Sequence, residues 1–170
     1  LGAASSVPLE VSPAGSLNFV SPASGAELII NTPQSVIVRA AEGTIGTINF
    51  SSTRGVLSET SKALEGGLAE VTLTATTAGP AILSARLGSD GPEITQSVEF
   101  VATTPSSLVL QASVSAVAPN EQSTITATVR DSDGNPVKNQ VVLFSVNDPT
   151  GGGLSIGSAT TGSAGTAIVY

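Results

Sequence analysis

The chain has no cysteine, no histidine and no tryptophan, and only six lysines and arginines among its 170 residues. Without cysteine there is no disulfide framework, no thiol nucleophile and no zinc–thiolate site. Without histidine, Ser-His-Asp triads, their cysteine variants and imidazole metal sites are excluded. A Ser-Lys dyad would have to use Lys62 or Lys138, and both sit in polar contexts where a solvated ammonium is the simpler reading. The six cations are scattered, the net charge is −7 and the pI is near 4.3. The clustered basic residues that nucleic acid or an anionic membrane surface demands are therefore missing. No apolar run reaches the eighteen or so residues that cross a bilayer, and no charged-then-apolar signal segment is present. Membrane insertion by this segment is not expected, and an export signal or anchor is expected to lie outside these residues. The thirteen acids fall singly in turns or on polar strand faces, and nothing nominates a facing pair for general acid and base work. No enzymatic activity is expected.

What the chain does have is a passage that occurs twice. Ile48-Asn49-Phe50-Ser51 through Val56-Leu57-Ser58, then Gly67-Leu68-Ala69-Glu70-Val71, returns as Leu143-Phe144-Ser145-Val146 through Gly153-Leu154-Ser155, then Gly165-Thr166-Ala167-Ile168-Val169. Phe50 and Phe144, Leu57 and Leu154, Gly67 and Gly165 lie roughly 94–98 residues apart. A repeat of that period means an array of modules rather than one large fold. The division expected is a leader or linker over 1–15, a β-sandwich over 16–103 and a second over 104–170. The second is expected to lack its last two strands, completed either by chain past Tyr170 or by a strand from a partner.

The strand signals are short and regular. Candidates are 16–20, 26–30, 35–40, 47–51, 69–75, 81–87 and 95–101, separated by Glu65-Gly66-Gly67, Thr77-Ala78-Gly79-Pro80 and Ser89-Asp90-Gly91-Pro92. Ala69–Ala75 and Thr95–Val101 alternate apolar with polar residues, as a strand with one wet face does. In the second copy, 107–110, 123–130, 140–146 and 166–170 repeat the pattern, with Asp131–Pro136 as a turn and Asp148–Gly153 as a loop. No helical period of useful length occurs. Charged residues make up only 11% of the chain, with abundant Ser and Thr, a composition suited to half-buried pleated strands. The fold class is all-β: tandem immunoglobulin-like β-sandwiches.

The run Val129-Arg130-Asp131-Ser132-Asp133-Gly134-Asn135-Pro136-Val137, then Val141-Val142-Leu143-Phe144, a Gly-rich loop and Gly165-Thr166-Ala167, resembles the bacterial immunoglobulin-like group 1 domain of invasin- and intimin-like adhesins. The first copy repeats that order, with Ala41-Glu42-Gly43-Thr44 in place of the Asp-x-Asp-Gly-Asn-Pro turn. The resemblance covers about residues 16–170. It implies a non-catalytic spacer at the bacterial cell surface or outside it, presenting distal domains for adhesion. The implied partners are neighbouring immunoglobulin-like modules of the same chain and, through the distal domains, a host or cell-surface protein or glycan.

Three features could carry binding chemistry. Asp131, Asp133 and Asn135 offer oxygens at a spacing that begins like a Ca²⁺ loop, but Pro136 follows and no Glu closes it. The competing reading is an Asx turn in which Asp and Asn bond local amides and Gly134 takes a positive φ. The loops Arg54-Gly55, Ser89–Pro92 and Asp148–Gly153 are candidates for contacting a protein, glycan or Ca²⁺, although no exposed aromatic cluster marks them. Phe50, Phe100 and Phe144 fall at inward-facing strand positions and are expected in the core rather than on a sugar-binding platform. No cofactor is expected.

Overall fold

A computed structural model describes residues 16–148 and 151–170. The leader assigned to residues 1–15 lies outside the described residues. Among the described residues there are fourteen strands and no helix. The first nine are β1 (Leu17–Ser21), β2 (Glu27–Ile29), β3 (Gln34–Ala40), β4 (Thr47–Ser52), β5 (Val56–Leu57), β6 (Ser61–Ala63), β7 (Leu68–Thr74), β8 (Gly79–Leu87) and β9 (Glu93–Val101). They form two sheets, ordered β1-β3-β7-β5 and β2-β9-β8-β4-β6. Neighbours are antiparallel except β2 and β9, which run parallel.

Alternation in the sequence becomes alternation of burial. Val36 and Val38 of β3, and Ala69, Val71 and Leu73 of β7, turn inward from one sheet. Ile48 and Phe50 of β4, Ala81, Leu83 and Ala85 of β8, and Val98 and Phe100 of β9 turn inward from the other. Each large side chain in this set contributes about 1.5–3 kcal/mol by leaving water. Small residues on β8, Ala81 and Ala85 on either side of Leu83, let the two sheets interdigitate.

The last five strands are β10 (Ser107–Ala112), β11 (Ile125–Arg130), β12 (Val141–Leu143), β13 (Ser158–Thr160) and β14 (Thr166–Val169). They form a three-stranded sheet, β10-β11-β14, and a two-stranded one, β12-β13. Their core holds Ala127, Val129, Val137, Val142, Ala167 and Val169, with Phe144 partly buried against it. The buried Thr161 hydroxyl donates to Val137 O at 2.7 Å and accepts the Gln140 N–H at 2.9 Å. This half is the thinner of the two, with no counterpart of the β8–β9 hairpin among the described residues.

The seven strands read in the first copy all form. Strands β5, β6 and β13, two or three residues each, have no counterpart among the strand candidates. The strand expected over 140–146 stops at Leu143. Phe144 still donates its N–H to Gly157 O at 2.9 Å, and Ser145 to Asn147 then lie exposed. The strand expected from 123 begins at Ile125, since Ser123 turns its hydroxyl onto Val114 O at 3.0 Å.

Candidate functional site at the junction of the two halves

Between β9 and β10 the connection is short, Ala102 to Ser106, and the segments on either side of it meet. The first component is the turn that follows β11. Asp131 accepts the N–H groups of Asp133 and Asn135 on Oδ1, at 2.9 and 2.8 Å, and the Asn135 side-chain amide on Oδ2 at 2.9 Å. Gly134 supplies φ +84°, a backbone region that glycine enters at little cost. Arg130 closes the turn by donating Nη1 to Gly134 O at 2.7 Å. Burial works to raise the Asp131 carboxyl, but the hydrogen bonds from Asn135, Asp133 and Gly134 outweigh it and hold it below its usual 3.8.

That turn aims Asn135 at the first half. The residue is only 8% exposed. Oδ1 accepts the Ala78 N–H at 3.1 Å, while Nδ2 donates to Thr76 O at 3.3 Å as well as to Asp131. A buried primary amide needs both donors and its acceptor satisfied, and here three partners satisfy it, two of them across the junction. The Thr76–Ala78 turn is braced from its other side by Arg54. The guanidinium donates to Thr77 Oγ1 at 2.7 Å and to Pro80 O at 3.2 Å, fitting its fork to two acceptors.

Beside this polar contact runs an apolar one. Val137 and Ala102 form a parallel bridge and are each 1% exposed, so backbone of one half pairs with backbone of the other. One residue further on, Lys138 reaches back to two carboxylates of the first half. Its Nζ lies 2.7 Å from Glu27 Oε1 and also bonds Glu99. Asn139 donates Nδ2 to Glu27 Oε2 at 3.0 Å. Glu27 and Glu99 are directly opposite each other in the parallel β2–β9 pair, so two like charges sit side by side, and the single ammonium of Lys138 bridges them and balances one of the two. The Lys138 hydrogen bond holds Glu99 below its usual 4.5 despite partial burial, with help from Ser163. Hydrogen bonds to Glu27 and then Glu99 raise Lys138 above its usual 10.5.

The structure therefore brings Asp131, Asp133 and Asn135 together as a turn, and it uses Asn135 and Asp131 to build the junction. The Asn135 amide NH₂ faces the Asp131 carboxylate, a donor–acceptor pair rather than a ring of converging oxygens. Among the described residues, no group of three or more His, Cys, Asp or Glu is placed to hold a metal. The candidate loops do not converge. Arg54-Gly55 lies at the junction, whereas Ser89–Pro92 lies at the far end of the nine-residue β8, roughly 27 Å away. Asp148–Gly153 belongs to the second half and includes residues outside those described. Sequence reasoning missed Lys138, Glu27, Glu99 and Ala78 as junction residues. The signal that could have found Lys138 is its place two residues after the Asn-Pro pair, adjoining the linker in space.

No family model matches the chain. Over 132 residues it is 32% identical to the inverse autotransporter adhesin YeeJ of Escherichia coli (strain K12), covering 72% of this chain and 6% of that protein's length. Among solved structures, the D0-D1 domain of intimin is similar with a TM-score of 0.42 and 24% identity, covering 91% of this chain and 82% of that one. Invasin, described as a bacterial integrin-binding protein, is similar with a TM-score of 0.43 and 20% identity, covering 91% of this chain and 33% of that one. Among the described residues no helix is long and apolar enough to cross a membrane.

Proposed function

We propose that this chain is a non-catalytic spacer of a bacterial surface adhesin, with modules over 16–103 and 104–170 that hold distal domains away from the cell. The observation that carries the reading is the junction. A spacer transmits position only if its joints resist bending, and this joint has three separate restraints. They are the Asn135 amide gripping the Thr76–Ala78 turn, the Ala102–Val137 backbone bridge, and Lys138 set between Glu27 and Glu99. Several contacts around one short linker oppose bending, which a flexible Gly/Ser tether cannot do. The similarity to a short segment of a very long adhesin supports the same reading, since a module filling 6% of its relative is one unit among many. The partners are then the neighbouring modules of the same chain, and the place of action is outside the cell. A host or cell-surface protein or glycan is met by the distal domains.

The experiment is small-angle scattering on the purified chain and on an Asn135→Ala, Lys138→Ala double variant. A single extended conformer for the parent, broadened into a range of bend angles in the variant, supports the proposal. A parent already as broad as the variant overturns it.

A further inference from the structure

The two halves pass from one sheet to the other through connectors of different length. Matching hydrogen bonds mark the corresponding positions. Ala40 donates to Gly67 O as Val129 does to Gly165 O, and Leu64 donates to Gly46 O as Thr161 does to Gln140 O. Between these marks lie five residues in the first half, Ala41 to Ile45, and ten in the second, Arg130 to Asn139. The longer connector makes the joint. Asn135, Val137, Lys138 and Asn139 all belong to it, and all four meet the first half.

The shorter connector has none of that chemistry. Its sequence, Ala-Glu-Gly-Thr-Ile, holds no asparagine, no proline and no cation, and its one charge is the exposed Glu42. Counted back from Gly46 and Gln140, Thr44 stands where Lys138 does. The residue beside each connector differs in step with it. Thr161 donates its hydroxyl to Val137 O at 2.7 Å and so holds the long connector in place. Its counterpart Leu64 has no hydroxyl and packs partly buried against the core.

The socket facing the long connector belongs to the first half. The Thr76 carbonyl and Ala78 N–H take a primary amide, and the paired Glu27 and Glu99 carboxylates take a cation. A connector of the short kind brings no amide to the turn and adds an acid to two acids. Unmet buried hydrogen-bonding groups and facing like charges both work against such a contact.

We propose that this joint selects its partner: the socket of Thr76–Ala78, Glu27 and Glu99 accepts a module carrying the ten-residue connector with Asn135 and Lys138, and rejects one carrying the five-residue kind. The first half is itself of the rejected kind, so a second copy of it cannot take the place of the second half at a fixed angle. The inference rests on the spacer reading and adds a rule of order to it, in which the connector of a module states what that module can follow. Selectivity of this sort comes from what is left unpaired in the wrong complex as much as from what is gained in the right one.

The test keeps the full chain and changes the connector. In one variant Arg130 to Asn139 is replaced by the sequence of Ala41 to Ile45, together with Thr161→Leu. A second carries Lys138→Glu. A third adds Glu99→Lys to Lys138→Glu, which again sets one cation between two acids with the roles exchanged. Bend angles are read by small-angle scattering and the socket by hydrogen exchange of the Ala78 N–H. Exchange of the Val129 N–H, which Gly165 O accepts at 2.7 Å, reports whether the second half stays folded.

The connector swap should broaden the bend angles and speed Ala78 exchange by about tenfold or more, with Val129 still slow. Lys138→Glu should broaden the angles as well, and adding Glu99→Lys should narrow them again. A swapped chain with narrow angles and a slow Ala78 amide overturns the selectivity and leaves the spacer reading standing. A parent already broad removes both. Where fast Val129 exchange shows the swapped half unfolded, the charge variants decide: narrowing on adding Glu99→Lys upholds the proposal, and its absence overturns it.

Discussion

Arg54 and Asn135 hold the same turn from opposite sides. Arg54 bonds the Thr77 hydroxyl and Pro80 carbonyl from within the first half, and Asn135 bonds the Ala78 N–H and Thr76 carbonyl from the second. The turn is thus fixed to its own sandwich before it serves as a socket for the next one. A joint built on a loose loop would move with the loop, however good its hydrogen bonds.

Replacing Asn135 by Ala leaves the Ala78 N–H and Thr76 carbonyl without their partner and removes a donor to Asp131. Loss of a buried hydrogen-bonding group of this kind costs about 1–3 kcal/mol. The expected outcome is a lower denaturation midpoint for the second half and a wider spread of bend angles in solution scattering. An unchanged midpoint and an unchanged scattering curve together would rule out Asn135 as a fastener.

Arg54→Ala should leave overall stability within about 1 kcal/mol, because exposed hydrogen bonds contribute modestly. Its effect should appear at a distance, as faster hydrogen exchange of the Ala78 N–H. Arg54→Lys should not restore slow exchange, since a lysine lacks the fork that reaches Thr77 and Pro80 together. Restoration by Lys would mean that charge rather than geometry matters there.

The pH dependence follows from three shifted groups. Asp131 and Glu99 have folded values below their usual 3.8 and 4.5, so their stabilisation is present above those values and lost as pH falls through the folded ones. Lys138 is raised above 10.5, so its contribution is present below that value and lost as pH rises through the folded one. The chain has no histidine to titrate between. Melting temperature should be level from about pH 5 to about pH 9 and fall on the acid side as the junction carboxylates protonate. Lys138→Met should shrink the acid limb; an identical limb in that variant would place the acid sensitivity elsewhere.

Gly165 sits at φ +71°, and a Cβ added there would come within 2.5 Å of Val129 O and 3.0 Å of Pro136. Gly165→Ala should destabilise the second half by about 2 kcal/mol or more, combining backbone strain with a steric clash. Gly157 has open space around it, and Gly157→Ala should be near neutral. Chemical denaturation of the two variants side by side gives the comparison.

Millimolar Ca²⁺ should leave the melting temperature unchanged, because the Asp131 oxygens are already committed to amide donors. A ligand binding only the native state must raise it. A rise in the parent that disappears in Asp131→Asn would instead make the turn a cation site.

Architecture was readable in the sequence wherever one strand records its own period. Val36-Ile37-Val38 and Ala69–Ala75 announce their buried faces locally. The junction was not readable in that way. Asn135 meets Ala78, and Lys138 meets Glu27 and Glu99, across separations of 39 to 111 residues that no local period records. Within its own segment Asn135 looks like an ordinary turn residue, and Asp131–Asn135 looks as much like a cation loop as a fastener. Short edge strands such as β5 and β13 depend on a neighbour for their existence and leave no period of their own.

The parallel pairing of β2 with β9 bears on how the first half would carry tension. Glu27↔Glu99, Leu28↔Phe100 and Ile29↔Val101 align an early strand with the last strand of that half. Pulling the chain at both ends reaches β9 directly and β2 only through β1, and once β1 parts from β3 it draws β2 and β9 in opposite directions along their common axis. The load then falls on all their hydrogen bonds at once, in shear, instead of peeling them one after another as it would in a hairpin opened from its tip. Lys138 and the Ala102–Val137 bridge adjoin this pair, so force arriving from the second half enters the first at strands loaded in shear.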